Sequence, residues 1–266
     1  MDWFCNVASW RARWGPSREK PSRNKENRRM KKFFVVLAAM MMIGSVSPAF
    51  AEIEVSGDAY VSINSMYLWR GFDLSADDSF VAQPGADVSF GGFSLGWWGN
   101  MSENTGEMNE VDLVLDYSFD LGELVSMSIG NILYDVDGFK TTNELYLGVS
   151  LNTVLEPSLT IYYDYDECEE TGAFYTFSVG HGFDLAENIG LGIGALVSYN
   201  QESDFAVGNY SDLHNAELSL GLDYSVTDQI VVSPAVIYST PMSDDAEDIS
   251  GIDDEFMGGV TVALNF

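Results

Sequence analysis

Alternation with a period of two dominates this chain beyond its first fifty residues. In "VDLVLDYSF" (111–119), Val111, Leu113, Leu115, Tyr117 and Phe119 share one parity, and Asp112, Val114, Asp116 and Ser118 share the other. "ELYLGVSL" sets Leu145, Leu147, Val149 and Leu151 against Glu144, Tyr146, Gly148 and Ser150. "AELSLGLDY" repeats the pattern from Ala216 to Tyr224. This is the periodicity of a strand with one apolar face, and no comparable helical stripe accompanies it. The connections alternate too. Short ones at 91–92, 120–123, 152–157, 185–188 and 226–229 interleave with longer, more acidic ones near 71–78, 102–109, 135–141, 166–171, 200–211 and 240–254. That count gives about twelve strands with both termini at the short-turn end. Short turns alternating with long acidic loops on an even strand number predict an all-β transmembrane antiparallel barrel.

Aromatic placement agrees with a membrane rather than a soluble sandwich. On the apolar parity, Phe90, Phe93, Phe119, Phe183, Tyr224 and Phe266 end the strands at the short turns. Tyr67, Trp69, Tyr165, Tyr175, Tyr199, Tyr238 and Phe256 occupy the loop end of the same face. Two such girdles roughly ten residues apart, on tilted strands, bracket about 25 Å. The ending "GGVTVALNF" places Val260, Val262, Leu264 and Phe266 on one face and stops on an aromatic. Val262, Leu264 and Phe266 resemble the signal read by the barrel assembly machinery of the outer membrane.

Charge divides the sequence in two. Ten of the 12 Lys and Arg residues lie in 1–51, so residues 52–266 carry 38 acids against Arg70 and Lys140 alone, a net of about −36. Such a field repels nucleic acid and anionic headgroups and attracts cations. The basic segment contains a secretory signal at 30–51. Lys31 and Lys32 precede the apolar "FFVVLAAMMMIG", and Ala49-Phe50-Ala51 forms an A-x-A cleavage site. The apolar run is too short to span a bilayer. Residues 1–29 would bury that signal and read as a leader upstream of a start at Met30, since Lys25-Glu26 can be encoded as a ribosome-binding sequence. Residues 52–266 are then the barrel, exported to the outer membrane of a Gram-negative bacterium, with membrane lipid and lipopolysaccharide as its surroundings. Cys168, in "DYDECEE", is the one cysteine of that part and gives no disulfide framework.

With the apolar parity facing lipid, the other parity faces the lumen. It is small near the turns (Ser94, Gly96, Ser126, Ser128, Gly180, Gly192) and bulkier and charged near the loops. Arg70, Asp112, Asp116, Glu144, Asp164, Glu217 and Glu255 are the candidate constriction residues. A carboxylate ring in a narrow passage selects for cations, whereas the same side chains bonded to one another would plug the barrel. Strand parity puts Tyr67 and Trp69 on the lipid face and Arg70 on the lumen side of the first strand. There it either ties the barrel seam to Glu255 or another lumen acid, or stands as one positive point against an acidic ring. Asp244, Asp245, Glu247, Asp248, Asp253 and Asp254 crowd the last loop without the order of an EF-hand, either as a solvated surface or as weak divalent-cation sites. His181 has Phe183, not serine, two residues on, so the constellation of a barrel phospholipase is absent and the chain reads as a non-enzyme needing no cofactor.

The stretch "YLWRGFDLSADDSFVAQPGADVSFGGFSLGWWGN" resembles the TorF-type porins, a family of exported bacterial proteins. The similarity runs through Tyr67, Arg70, Gly71, Gln83, Pro84, Gly92, Gly96, Trp98 and Gly99 and is good over roughly 58–134. The resemblance implies an exported porin barrel and assigns neither a solute nor a catalytic residue. The expected function is passive diffusion of cations or small polar solutes through an acidic lumen. The alternatives are a closed surface barrel whose acidic loops bind divalent cations or partners, and a secreted acidic sandwich.

Overall fold

The computed structural model describes residues 55–75, 79–168 and 172–266. The leader and signal segments expected at 1–29 and 30–51 lie outside the described residues. Fourteen strands follow one another: β1 Val55–Asn64, β2 Leu68–Trp69, β3 Phe72–Asp73, β4 Val81–Phe90, β5 Phe93–Ser102, β6 Met108–Leu121, β7 Val125–Val136, β8 Thr142–Leu151, β9 Ser158–Asp164, β10 Ala173–Ala186, β11 Ile189–Gln201, β12 Ser211–Ser225, β13 Ile230–Pro241 and β14 Glu255–Asn265. β2 and β3 form a small hairpin of their own, and the other twelve close into one barrel. Every barrel strand pairs antiparallel with its chain neighbours, and β1 meets β14 to close the ring. At that seam Gly57 and Phe266 exchange both backbone hydrogen bonds at 2.9 Å, so the last residue is part of the ladder.

Closure removes sheet edges, and burial in this barrel is inverted relative to a soluble fold. Leu218 is 61% exposed and Val262 49%, whereas Glu144 is 1% and Asn200 0% exposed. Apolar side chains outside and polar ones inside are what the alternating pattern demands of strands whose solvent is lipid. At the turn end Phe90, Phe93, Tyr117 and Phe119 form a chain of ring contacts with centroids 4.6–6.0 Å apart. At the loop end Tyr175 and Tyr199 make an edge contact, and Phe256 stands 62% exposed.

Two bends in the pattern matter for the interior. Where Val197 pairs Ala216 and Tyr199 pairs Leu213, Ser198 faces both His214 and Asn215. This extra residue is a β-bulge, and it turns both side chains into the lumen, 0% and 1% exposed. Lower down, Tyr146 of β8 lies across Gly130 of β7, its cross-strand partner, where a Cβ would collide with the ring. The glycine thus makes room for a tyrosine that crosses the wall and donates to Asp116 at 2.5 Å.

Two members of the expected outer girdle, Tyr67 and Trp69, lie elsewhere. Tyr67 is 7% exposed and Trp69 is half-buried, both packed inside the barrel. β1 stops at Asn64, so its parity does not extend to them. Tyr165 keeps the outward parity expected of it, lying along the outer wall and donating to Asn131 Oδ1 at 2.7 Å. Asn131 in turn donates to Asn143 at 3.2 Å, so two fully buried amides on the outward parity satisfy one another beneath the tyrosine.

Candidate functional site

The segment after β1 does not continue upward out of the barrel. It turns inward as the β2–β3 hairpin, with Leu68 paired to Asp73 and Trp69 to Phe72. Arg70 and Gly71 are the two turn residues, with φ of 48° and 81°. Positive φ at both central positions defines the tight turn that matches the twist of a two-residue hairpin. Glycine suits the second position, where an added Cβ would also meet Ile252 Cδ1 at 3.1 Å and Asn215 Cβ at 3.3 Å. Arginine in a left-handed conformation is strained, which makes its side-chain contacts the reason for its presence.

Those contacts cross the lumen. Arg70 Nη1 and Nη2 donate to the two oxygens of Glu144 on β8 at 2.9 and 2.7 Å. The guanidinium carbon lies 4.5 Å from the Trp69 ring, 4.5 Å from Phe174 and 5.0 Å from Tyr162, so the cation is caged by aromatic faces. Burial alone would lower the Arg70 pKa, but Glu144, and after it Tyr134 and Tyr162, raise it above its ordinary value. The pair is thus a fixed, charged clamp. Tyr134 adds a hydrogen bond to Glu144 Oε2 at 2.9 Å. The Arg70 carbonyl accepts from His214 Nε2 at 2.7 Å, while His214 Nδ1 meets the Tyr210 hydroxyl. Because a carbonyl can only accept, Nε2 carries the proton and Nδ1 is left to accept from tyrosine. Tyr210 also contacts Ser250 at 3.1 Å, and burial pushes its phenol up to about 12.

The hairpin, with Tyr67 just before it, reaches β5 through Trp98, β6 through Glu110, β7 through Tyr134, β8 through Glu144, β9 through Tyr162, β10 through Phe174 and β12 through His214. Seven of the twelve barrel strands therefore touch it. Above it, Val207, Tyr210, Ala246 and Ile252 from later loops complete an apolar cluster with Phe72 and Phe174. The loop end of the lumen is filled by this plug. The turn end is open, with cavities of about 390 and 400 Å³ lined by Ser89, Ser94 and Ser118 and by Ser126, Ser128 and Thr160.

The candidate acids separate into different environments. Of the lumen acids open to Arg70, Glu144 holds it, and Glu255 stands at the start of β14 opposite Ser239. Arg70 itself sits in a loop turn rather than on the first strand, so it does not tie the seam. Asp164 accepts from Thr142 Oγ1 at 2.7 Å and from the backbone of Asp166 and Glu167, shaping its own loop. Asp116 belongs to the open half, bonded to Tyr146 and Ser118. Glu217 accepts from Asn215 at 2.9 Å on the far side. Asp112 lies beside the hairpin, between Trp98 and Tyr134 in the register. Asp244, Asp245, Glu247, Asp248, Asp253 and Asp254 are exposed around a five-residue π-helical turn, Ala246–Ser250, whose Ala246 and Ser250 point inward. Val262, Leu264 and Phe266 face outward along the seam strand. His181 lies on the outer face, its Nδ1 2.7 Å from the Val154 carbonyl. Glu110 and His214 belong to the site although the sequence pattern did not single them out, and Tyr67 and Trp69, expected on the lipid face, join them there. Glu110 shares the parity of Asp112, the one signal that pointed to it.

The closed twelve-stranded antiparallel barrel has the fold of outer-membrane porins. The structure described as NanC porin in a rhombohedral crystal form matches with a TM-score of 0.52 at 12% identity, over 79% of this chain and 98% of that one. KdgM porin matches with a TM-score of 0.52 at 15% identity, over 79% of this chain and 99% of that one. No protein-family model and no curated protein sequence matches the chain.

Proposed function

We propose that the protein is a porin-like channel of the outer membrane, of TorF type, that passes cations and small polar solutes and is constricted by the β2–β3 hairpin. The observation that carries this reading is the charge left over in the lumen. Beyond residue 51 only Arg70 and Lys140 are basic. Arg70 is matched by Glu144, and Lys140 by Glu167 at 2.6 Å in a loop. Glu110, Asp112, Asp116 and Glu217 therefore face the interior with no basic side chain to offset them, a potential that admits cations and repels anions. A serine- and glycine-lined cup at the turn end gives polar solutes hydroxyl contacts on entry. NanC and KdgM porins share the barrel architecture, which supports a channel.

A closed surface barrel is the second reading, favoured by the ion pair and aromatic cluster that fill the loop end. Planar-bilayer recording separates the two. The channel reading expects small single-channel steps and, across a potassium chloride gradient, a reversal potential toward the potassium equilibrium value. Absence of any conductance, or reversal toward chloride, overturns it.

A further inference from the structure

Among the described residues two buried side-chain polar atoms lack a hydrogen-bond partner, Ser102 Oγ and Asp112 Oδ1. They are separate cases. Ser102 ends β5, beyond Trp98, the residue of that strand that pairs with Asp112. A lone hydroxyl there costs little, whereas a buried carboxylate oxygen without a partner is expensive unless the group gives up its charge. Asp112 is 8% exposed, and its cross-strand neighbours are Trp98 and Tyr134. Tyr67, leading into the hairpin, packs on Trp98 with ring centroids 5.4 Å apart, and Trp69 of β2 packs on Tyr134 at 6.1 Å. The docked hairpin thus roofs both neighbours of Asp112 and keeps water from it.

The groups that act on Asp112 do not favour its charge. They are Glu110 on its own strand, Tyr134 and Asp135 on β7, Glu144 on β8 and Tyr67 above it, all acids or phenols, and Trp98 of β5 adds none. Arg70 has both terminal nitrogens on Glu144, and Tyr67 donates its hydroxyl to Glu110. His214 stands at the Arg70 carbonyl. The hairpin, for its part, is free of the ladder: β2 and β3 pair with each other and with no barrel strand. It can leave the lumen without unpairing the ring. We propose that Asp112 is a proton-operated latch: the hairpin stays docked while this carboxyl is protonated and lifts from the loop end of the lumen when it ionises. The docked state then holds one proton more than the lifted state. Raising the pH therefore favours lifting, by up to about tenfold in the docked-to-lifted ratio per pH unit. The event that unblocks the loop end also adds a negative charge to the lumen, so the opened passage is the more cation-selective one. As a gate the latch rests on the channel reading; as a movement of the hairpin it does not.

The test reads the hairpin and the conductance separately. Acrylamide, a neutral quencher, reports the exposure of Trp69 and Trp98 by fluorescence in the whole barrel in detergent micelles. The pH is raised from about 5, just above the ordinary carboxyl range, to about 9. Quenching is expected to rise with pH, and open time in planar bilayers to rise with it. Asp112→Asn, which keeps the shape and cannot ionise, should hold quenching at its low-pH level throughout, while Asp253→Asn/Asp254→Asn on the exposed loop should respond like the parent. Heat-modifiable gel mobility checks that Asp112→Asn is folded; should it not be, Asp112→Ser is read in the same way. Quenching that follows pH in a barrel that never conducts upholds the latch and overturns the channel reading instead. Quenching that ignores pH in the parent, that rises on acidification as protonation of His214 would make it, or that still rises with pH in folded Asp112→Asn overturns the latch, whatever the conductance.

Discussion

Arg70 and Glu144 meet in a two-point contact of 2.9 and 2.7 Å although 74 residues separate them, and β1, the strand that leads to Arg70, stands nearly opposite β8 in the ring. Their side chains are 8% and 2% exposed, so neither charge has water to fall back on. Such a pair adds little net stability over apolar residues of equal volume, but removing one partner alone is severe. Glu144→Gln is expected to cost about 3–5 kcal/mol by stranding a buried guanidinium. The double variant Arg70→Met/Glu144→Met should cost clearly less than the sum of the single changes. Urea unfolding in micelles measures all of them, and additive losses would contradict a direct clamp.

Gly71 tests the turn rather than the charge. Its φ of 81° and the atoms of Ile252 and Asn215 within 3.3 Å leave no place for a side chain. Gly71→Val should displace the hairpin with a cost of at least about 1–3 kcal/mol in backbone strain. The barrel ladder itself is untouched by that change. Protease cleavage within 65–75 and larger conductance steps, with heat-modifiable mobility retained, are the expected readouts. Unchanged cleavage would show that the hairpin is held without its turn.

Cys168 lies in the loop after β9, where its thiol donates to Asp204 Oδ1 at 2.9 Å. Burial first, and then that hydrogen bond to Asp204, push its pKa up to about 12. Since thiolate is the reactive form and its fraction rises with pH, alkylation near neutrality should run roughly a thousandfold slower than for an ordinary thiol. It should accelerate as pH rises toward 12. Asp204→Asn removes the carboxylate and should speed the reaction. Iodoacetamide labelling followed by mass spectrometry gives both rates.

Phe266 separates assembly from stability. Its bonds to Gly57 are backbone bonds, which Phe266→Ala retains, and its ring is 61% exposed to the surroundings of the barrel. Refolded in detergent, the variant should unfold within about 1 kcal/mol of the parent, as surface substitutions usually do. In cells, the signalling role expected of Val262, Leu264 and Phe266 from the sequence predicts a fall in the amount of folded barrel in the membrane fraction. Equal amounts of both proteins in that fraction would remove the signalling role.

Strand number, lipid-facing parity and the alternation of turns and loops were legible because lipid imposes one rule on every membrane-crossing residue. Leu113, Leu147 and Leu218 could be placed from spacing alone. The plug was not legible for the same reason. Tyr67 and Trp69 continue an alternating pattern past Asn64, yet parity has no meaning once the chain has left the ladder. The partner of Arg70 was open to any lumen acid, since sequence does not state how far a hairpin reaches across a ring. His214 and Asn215 both face inward only because a bulge inserts one residue against Ser198. Glu110 shares its parity with Asp112, but its contact is with Tyr67, which comes from a distant part of the chain.

The hairpin also has a place in time. Arg70 precedes in the chain every strand whose side chains hold it: Glu144, Tyr162, Phe174 and His214 all come later. A barrel built strand by strand therefore carries its sole arginine without a counter-charge until β8 is in place, and without its His214 contact until β12 is in place. The hairpin's contacts among the barrel strands are complete only once β12 is in place. A barrel stalled before β12 would leave this segment without those contacts, so the segment that fills the loop end depends on strands laid down long after it.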